Sequence, residues 1–454
     1  MRTLALTIAC IGVSSTLYAQ QTRYTLQDLN PGDGVSSVAL AINDAGVVAG
    51  RIEISRASRA ARARPGLPFE LVPGLESVLS ETSGVNAAGD LAGWMQTPAD
   101  PSTLQAIRYS EAGGVEMLGS LGGSSHGLDI NRWGQVAGWS YAGSVFFIRA
   151  FLATPGEGLR DLGTLGGFSS FAASINDAGQ VAGHSETGGG RWHAFRYTPG
   201  VGMQDLGTPA DIFMFAGGIN ASGQVVGRMD RSGTATHAFR YTDGVGLQDL
   251  HTLATGSSIA ADINDAGAVV GYLFTPGATR PHAFVYTDDG GMVDLNTLIE
   301  PGSGWVLNFA WGINNAGEIV GQGTYGTEVT PRAFKLTPRS VDVTPPEITA
   351  VTADPAFLWT PNLQMVPVTV TVSVTDNVDP APRCRVLAVT ASEPVDAAAI
   401  QITGDLTVSL RAERGGSGTG RTYHIAVGCS DASGNTAAGS VVVSVPHDRG
   451  GGHD

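Results

Sequence analysis

Hydrophobic and polar residues alternate in short runs along residues 20–340, with no long helical stripe of hydrophobic residues. One run, HAFRYT, places His193, Phe195 and Tyr197 on one face and the intervening residues on the other, which is the period of a β-strand. The same repeat, about 44 residues long, contains three further runs, SSFAASIN, GQVAG and GMQDLG. Gly, Asn and Pro bound these runs, so the pattern predicts four short antiparallel strands per repeat.

A short phrase recurs with these strands. It reads Ile-Asn-x-x-Gly (Val replaces Ile once), with a second glycine four residues after the first. It occurs seven times, with its asparagine at Asn43, Asn86, Asn131, Asn176, Asn220, Asn264 and Asn314. Four strands in a near-constant period are typical of β-propeller blades, which commonly span about 40–45 residues. The sequence therefore predicts an all-β chain with a seven-bladed β-propeller over residues 20–340.

The two ends of the repeat region are complementary. The seventh repeat reaches Pro338 without a closing Asp-Leu strand, whereas the segment Arg23–Leu29 resembles that strand. We expect this N-terminal segment to complete the last blade and close the ring, which leaves no open sheet edge. An open solenoid is the alternative, but it needs capping repeats that are not visible in the sequence.

The repeated phrase suits a turn better than a ligand site. Asn at the first position and Gly at the fourth are favoured in type I turns, where the Asn side chain bonds nearby backbone. A calcium site needs acidic ligands at a fixed place. The residue after the asparagine instead varies between repeats, as in Asp44, Ala87 and Arg132. We therefore predict seven turns rather than seven metal sites.

Two other repeated residue types could suggest chemistry. His193, His237 and His282 occupy equivalent places in successive repeats. Packed sheets lie about 10 Å apart, too far for one zinc ion with bonds of about 2 Å. We expect each imidazole to form a local hydrogen bond between blades. The repeated acids are expected to form hydrogen bonds at strand ends, and they are Asp28, Asp161, Asp205, Asp249 and Asp294.

Familiar catalytic motifs are absent from the sequence. It has no G-x-S-x-G, no H-E-x-x-H and no phosphate-binding loop, so no catalytic residue, metal ligand or cofactor is assigned. Aromatic residues that break the repeat could fill the core or stack on sugars at one mouth of the ring, and core filling is favoured. They are Trp94, Trp133, Trp139, Phe213, Phe215, Trp305, Phe309 and Trp311.

A second domain is predicted after a boundary near Ser340. Residues 341–446 contain alternating runs typical of strands, and their number suggests an immunoglobulin-like β-sandwich. Cys384 and Cys429 are predicted to form a disulfide there. Two acidic segments, 376–379 and 431–435, could bind calcium or form turns, and turns are favoured. Residues 447–454 are predicted to be a disordered tail.

The N-terminus and the net charge bear on location and partners. Residues 1–19 combine Arg2, an apolar run and a small residue at Ala19, which predicts a cleaved signal peptide; lipidation at Cys10 is the disfavoured alternative. No second hydrophobic segment follows, so we expect no transmembrane segment in the mature chain. We expect it to be secreted, outside the cell or on its surface, with the periplasm as the alternative. The formal net charge of −15 argues against nucleic-acid binding.

The cycle HAFRYT…GMxDLG…INxxGxVVG resembles the HAF-repeat family of bacterial exported proteins over residues 22–338. The first two repeats depart from it, because Pro68–Glu70 and Gln105–Ile107 replace His-Ala-Phe. The C-terminal part resembles the immunoglobulin-like modules found at the ends of bacterial exported proteins. Neither resemblance implies a catalytic residue, since a fold alone does not define a function.

These observations favour a secreted, non-catalytic interaction or surface-associated protein. Its rigid propeller face would bind a polysaccharide or another exported protein. One alternative is a glycan-active hydrolase or lyase with carboxylates on non-repeating propeller loops, and another is a passive extracellular structural protein. A pair of unrepeated acids at one mouth of the ring would favour the enzyme, and a smooth channel with exposed aromatics would favour binding.

Overall fold

Short strands joined by tight turns form nearly all of the regular structure. The structure, a computed structural model, describes residues 21–207, 212–230, 235–253, 256–275, 277, 280–415 and 420–446. The predicted signal peptide at 1–19 and the predicted tail at 447–454 lie outside the described residues. The described ranges contain no α-helix and two 3₁₀ turns, Leu295–Thr297 and Ala397–Ala399. The chain forms two compact units, Arg23–Arg339 and one that contains Ser340–Asp454.

The first unit consists of four-stranded antiparallel sheets that follow one another along the chain. Each of the first six sheets is a meander of four consecutive strands. In chain order these strands are β2 (Ser36–Ile42), β3 (Val48–Ile54), β4 (Ala57–Ala63) and β5 (Glu70–Leu71); β6 (Ser80–Val85), β7 (Leu91–Gln96), β8 (Leu104–Ser110) and β9 (Gly114–Gly119); β10 (Gly122–Ile130), β11 (Val136–Ala142), β12 (Ser144–Thr154) and β13 (Gly158–Asp161); β14 (Gly166–Ile175), β15 (Val181–Thr187), β16 (Trp192–Thr198) and β17 (Gly202–Asp205); β18 (Phe213–Ile219), β19 (Val225–Asp230), β20 (Thr236–Thr242) and β21 (Gly246–Asp249); and β22 (Ser257–Ile263), β23 (Val269–Phe274), β24 (His282–Thr287) and β25 (Gly291–Asp294).

The next sheet combines both ends of this unit. Its strands are β26 (Trp305–Ile313), β27 (Ile319–Tyr325), β28 (Arg332–Val341) and, beside β28, the N-terminal β1 (Gln21–Asp28). Arg332 on β28 donates a hydrogen bond of 2.7 Å to the carboxylate of Asp28 on β1. The N-terminal strand thus occupies the place that the fourth strand has in the other sheets. The unit has a β-propeller-like fold.

The core of this unit lies between neighbouring sheets. The phenylalanine that follows the repeated alanine is fully buried in five repeats, at Phe151, Phe195, Phe239, Phe284 and Phe334. Leu152 of the third sheet, for example, shares a cluster with Phe195 of the fourth. Arg196, on the opposite face of the same strand, is also buried. Both faces of a HAFRYT strand are therefore covered, because each sheet has a neighbour on either side.

The two repeated glycines meet different steric demands. The first has a positive φ, as at Gly179 (φ 74°), which closes the turn. The second lies against the neighbouring strand: a Cβ at Gly183 would lie 2.1 Å from the carbonyl oxygen of Phe171. The equivalent distances are between 1.9 and 2.1 Å at Gly50, Gly93, Gly138, Gly227, Gly271 and Gly321. The second glycine is thus required because any side chain would collide with the innermost strand.

In the described part of the second unit, seven strands form two sheets. One sheet has the order β29 (Glu347–Asp354), β30 (Met365–Thr375), β33 (Thr407–Arg411) and β32 (Ile400–Gly404), and the other has the order β31 (Arg383–Ala391), β34 (Gly420–Ser430) and β35 (Thr436–Pro446). Side chains of both sheets share one core, with Val368 and Tyr423 among them. Cys384 and Cys429 lie opposite each other on β31 and β34 and form a disulfide, which confirms the predicted bond.

Candidate functional site

The seven repeated turns surround one end of a central channel, where they line a cavity of about 220 Å³. Nδ2 of each repeated asparagine donates a hydrogen bond to the backbone carbonyl of the next, at 2.8 to 3.2 Å. Asn314 completes the series, because its Nδ2 donates to the carbonyl of Asn43 at 3.0 Å. The series returns to its start, so these hydrogen bonds form a closed ring that joins the first sheet to the last.

Each asparagine also forms a turn of the predicted kind. In the fourth repeat, Oδ1 of Asn176 accepts hydrogen bonds from the backbone N–H groups of Ala178 and Gln180, at 3.1 and 3.0 Å. The backbone N–H of Gly179 donates to the Asn176 carbonyl at 3.0 Å. Oδ1 therefore stabilises the local turn, and Nδ2 ties it to the next sheet. The sequence analysis predicted the first role only, because turn preferences contain no information about contacts between repeats.

A larger cavity, of about 540 Å³, lies between the innermost strands β2, β6, β10, β14, β18, β22 and β26. In each of these strands the pairing slips by one residue, three positions before the repeated asparagine. Such a bulge redirects a side chain, and here the bulged residue lines the cavity. The bulged residues are Leu40, Ser83, Leu128, Ala173, Gly217, Ala261 and Trp311. Six are small or aliphatic, so Trp311 stands out in the channel wall.

Aromatic side chains form a band on the two innermost strands of several sheets, and the band begins at this cavity. This band, the aromatic belt, consists of Trp94, His126, Trp139, Phe171, His184, Phe215, Tyr272, Phe309 and Trp311. Its members are half-buried, and Phe215, Tyr272 and Trp311 line the cavity itself. His126 stacks on Trp139 with ring centroids 4.2 Å apart, and Phe309 stacks on Trp311 at 5.3 Å. The belt offers ring faces and edges together with partial access to solvent.

Two polar atoms of the belt have no partner within the described residues. They are Nε1 of Trp311 and Nδ1 of His184, both buried. Burial, together with the charge of Arg228, lowers the pKa of His184 to about 4. Burial likewise lowers the pKa of His126 to about 4. Both imidazoles are therefore neutral at pH 7, and the belt contains an indole donor and an imidazole nitrogen without a hydrogen-bond partner within the described residues.

Two arginines bring positive charge to repeat positions that aromatic belt residues occupy in other sheets. Arg51 forms an ion pair with Glu81, so its charge is balanced. Arg228 lies over the Phe215 ring, 4.3 Å from its centroid, and has no carboxylate partner in the described part of the chain. Arg228 and Glu81 both line the larger cavity. A ligand there would meet aromatic faces, hydrogen-bonding groups and one unbalanced cation.

Two acids, at the same position of the third and sixth repeats, also line the larger cavity. Burial raises the pKa of Asp262 to about 7 and raises that of Asp129 above its ordinary value. Both already accept hydrogen bonds from the next sheet: Asp129 from Oγ of Ser174 (2.7 Å) and the N–H of Ile175 (2.9 Å), and Asp262 from the N–H of Ile313 (2.9 Å). Much of their accepting capacity is therefore used to join sheets.

The repeated histidines bond within a sheet through Nδ1, which differs from the expected bonds between blades. Nδ1 of His193 on β16 lies 2.8 Å from the carboxylate of Asp205 on β17, in the same sheet. The equivalent pairs are His237 with Asp249 and His282 with Asp294. The predicted strand-end role of the acids is present as well, because Oδ1 of Asp205 accepts the N–H of Gly207 at 3.0 Å. These pairs are structural and lie apart from the cavity lining.

The non-repeating aromatics have different environments. Trp305 packs against a hydrophobic core, as core filling predicts. Trp133 is 63% exposed on a turn at the narrow end of the channel. Five others belong to the aromatic belt: Trp94, Trp139, Phe215, Phe309 and Trp311.

Sequence reasoning missed several members of the site, including His126, His184, Arg228 and Tyr272. A signal for them exists in the repeat. Apart from Trp311, the belt positions lie five residues before and eight residues after each repeated asparagine, as in Phe171 and His184. These two positions face each other as cross-strand partners in every repeat sheet. Aligning the repeats and looking for variable positions between constant ones would have found them.

Comparison with known proteins adds little to these observations. No protein-family model matches the chain, and no curated protein matches it. It is similar to the solved structure of TolB from Acinetobacter baumannii, with 16% identity, a TM-score of 0.40, and 58% of this chain and 64% of TolB covered. It is also similar to a puromycin hydrolase variant, with 12% identity, a TM-score of 0.48, and 86% and 58% covered. A gluconolactonase from Xanthomonas campestris matches with 11% identity, a TM-score of 0.33, and 69% and 99% covered.

The chain thus spans less than two thirds of TolB and of the puromycin hydrolase. At TM-scores below 0.5, none of these similarities bears on its function. Within the ranges that the structure describes, no helix is long and apolar enough to cross a membrane. The observed fold and site define a β-propeller-like protein with an aromatic-lined channel.

Proposed function

We propose that this chain is an exported, non-catalytic binding protein whose ligand is a polysaccharide held at the aromatic belt. The observation that carries the proposal is the belt itself, with buried donor Nε1 of Trp311 at the cavity wall. Sugar rings have apolar C–H faces that pack on aromatic rings and hydroxyl groups that need hydrogen-bond partners. Stacked rings beside unpartnered polar atoms supply both. Arg228 would favour glycans that carry carboxylate groups.

We infer that the first unit is a seven-bladed β-propeller. Seven four-stranded sheets, the ring of asparagine hydrogen bonds and the place of β1 beside β28 support this architecture. We likewise infer an immunoglobulin-like module in the second unit. Its strands pair in the orders 1-2-5-4 and 3-6-7, which is the ABED and CFG arrangement of such domains. This module would serve as a spacer or surface-attachment element.

The exported location and membership of the HAF-repeat family are parts of the same proposal. The HAFRYT and IN-x-x-G motifs, with their constant spacing, support the family. The leader-like residues 1–19 and the Cys384–Cys429 disulfide support export, because disulfides persist mainly in oxidising compartments.

Binding is tested with purified full-length protein against a panel of neutral and acidic polysaccharides, by affinity electrophoresis and calorimetry. Trp311→Ala should weaken binding by roughly tenfold, which corresponds to about 1.4 kcal/mol for one lost stacking partner. Trp133→Ala is the matched control, because this tryptophan lies at the narrow end, outside the belt. Equal loss in both variants, or no retention by any glycan, would reject the belt as a glycan site. Binding to an exported protein instead would support the other partner class.

A glycan-active enzyme is the second candidate, and the raised pKa values of Asp129 and Asp262 favour it. A carboxyl group with a pKa near 7 is suited to donate and accept a proton at neutral pH. The assay is release of reducing ends, or of unsaturated products, from the same panel. Release that Asp262→Asn abolishes would replace the binding proposal by the enzymatic one. Retention without release supports the binding protein.

A further inference from the structure

We propose that the second unit binds one Ca²⁺ ion between Asp342, Asp376 and Asp431. One carboxylate oxygen of each lies within 4.8 Å of the others. These residues come from three separate parts of the chain: Asp342 precedes β29, Asp376 follows β30, and Asp431 follows β34. The sequence predicts turns at 376–379 and 431–435 with calcium binding as the alternative, and no metal ligand or cofactor was assigned from it. This interpretation did not include Asp342.

The hydrogen bonds around the cluster leave acceptors unused. Oδ1 of Asp376 accepts the N–H groups of Val378 and Asp379, at 2.9 and 2.8 Å, so the predicted turn is present. Its Oδ2 is buried and has no hydrogen-bond partner within the described residues. Oδ1 of Asp342 accepts the N–H of Thr344 at 3.0 Å, whereas its Oδ2 is likewise buried without a partner. The turns therefore account for one oxygen of Asp342 and one of Asp376, and not for the other oxygen of either carboxylate.

The unpartnered oxygens of Asp342 and Asp376 are buried, and burial without a partner is unfavourable. Asp342 and Asp431 are each 7% exposed, and no arginine, lysine or histidine forms an ion pair with any of the three acids in the described ranges. A buried carboxylate without a counter-charge is strongly unfavourable, and three adjacent ones repel each other as well. A bound cation would remove both penalties, because it supplies the missing charge and accepts the unpartnered oxygens as ligands.

The ligand chemistry selects calcium among common cations. All three ligands are carboxylate oxygens, with no His or Cys in the cluster, which disfavours zinc and copper. Calcium takes six to eight oxygens at about 2.3–2.6 Å with flexible geometry, so three carboxylates on loops can be completed by backbone carbonyls and water. Magnesium demands a compact octahedron with bonds of about 2.0–2.1 Å and keeps most of its water.

The loops that carry the ligands are already tied together. Oδ2 of Asp379 accepts the N–H of Ala432 at 2.8 Å, and Nδ2 of Asn435 donates to the backbone carbonyl of Asp342 at 3.0 Å and to Oδ2 of Asp431 at 2.8 Å. These bonds position the three carboxylates before a cation arrives. Calcium would therefore complete a preformed site and not assemble a new one.

The experiment uses the full chain after chelator treatment, with calorimetric titration of CaCl₂ and MgCl₂ and thermal unfolding with and without each metal. We expect one calcium per chain, a dissociation constant below about 1 mM, and weaker binding of magnesium. Asp376→Asn and Asp342→Asn should each weaken calcium binding at least tenfold and abolish the calcium-dependent rise in Tm. Asp405→Asn, an exposed acid of the same unit, is the matched control and should bind calcium normally.

Without calcium, Asp376→Asn should melt close to the temperature of the parent chain, because the asparagine side-chain oxygen can still accept the two backbone N–H groups. This separates loss of the site from loss of the fold. No binding at about 10 mM calcium would overturn the proposal, that concentration being well above the weak end of natural sites. Calcium binding that persists in both cluster variants, or that is lost equally in Asp405→Asn, would also overturn it. Tighter binding of magnesium than of calcium would overturn the choice of metal.

Discussion

Replacing Arg196 by methionine tests how neighbouring sheets are held together. The side chain of Arg196 is 7% exposed, and its guanidinium crosses to the next repeat. Nη1 donates a 2.8 Å hydrogen bond to the backbone carbonyl of Gly223, in the next repeated turn. Nη2 donates to both oxygens of Asp243, at 3.0 and 2.9 Å. Arg240 repeats the arrangement with Gly267 and Asp288.

The two contacts that Arg196 makes with the next repeat should differ in strength. A buried hydrogen bond from a charged donor contributes about 1.5–3 kcal/mol, and its loss leaves the Gly223 carbonyl unsatisfied. The carboxylate of Asp243 is 63% exposed, so solvent screening reduces the ion pair to about 0–1 kcal/mol. Methionine keeps the apolar stem and removes the cost of burying a charge, which offsets part of the loss. We expect Arg196→Met to cost about 2–3 kcal/mol, or about 3–5 °C in Tm for a unit of roughly 300 residues.

The assay is chemical and thermal unfolding, with Asp243→Asn as the matched variant. That variant removes only the exposed ion pair and should cost less than about 1 kcal/mol. If both variants lose the same stability, the ion pair dominates and the reasoning about the carbonyl bond is refuted. An Arg196→Met variant with the same free energy of unfolding as the parent chain would refute it as well.

Three further changes probe the repeat, the disulfide and a buried acid. Gly183→Ala should destabilise the first unit by about 1–3 kcal/mol or more, because its Cβ would lie 2.1 Å from the Phe171 carbonyl oxygen. Gly188→Ala should leave stability in urea unfolding nearly unchanged, because its Cβ would make only an ordinary van der Waals contact, 3.7 Å from the Gly166 carbonyl oxygen. Replacing both cysteines of the disulfide by serine should cost the second unit about 3–4 kcal/mol, since the bond closes a loop across a sequence separation of 45; unchanged calorimetric melting would contradict this. Asp262 has a pKa of about 7 in the folded chain against 3.8 ordinarily, so its contribution to stability is complete below about pH 4 and is lost as pH rises towards 7. The stability of the parent chain relative to Asp262→Ser should therefore fall by up to about 4 kcal/mol from pH 4 to 8, and a constant difference would show that Asp262 ionises normally.

Local patterns were enough to predict the regular parts of the chain. The HAFRYT alternation and the Asn-to-Gly turn depend on neighbours within a few residues, so their strands and turns follow from the sequence. The constant period of the repeat then predicted how the strands group into sheets, because equivalent repeats should form equivalent sheets. The pairing of Cys384 with Cys429 was also accessible, since two cysteines remain once Cys10 is assigned to the leader.

The assignment of individual side chains was less successful, for a physical reason. A repeat pattern shows that His193 is equivalent to His237, but not whether its partner lies in the same sheet or the next. The structure places that partner on the adjacent strand of the same sheet. Conversely, the asparagines proved to bridge repeats, which their local turn preference does not indicate.

The sequence by itself determined the strands, the turns, the repeat and the disulfide, because these depend on local spacing or on a unique pair. Only the tertiary structure decided which side chains meet at the channel and in the acidic cluster. Trp311 lines the cavity because a bulge redirects it, and its contacts with Tyr272 come from another sheet. Asp342 reaches Asp431 across a distance in sequence that no local pattern encodes. Residues that are remote along the chain come together when the sheets of the first unit close a ring and when the two sheets of the second unit pack. The proposed binding sites consist of such residues.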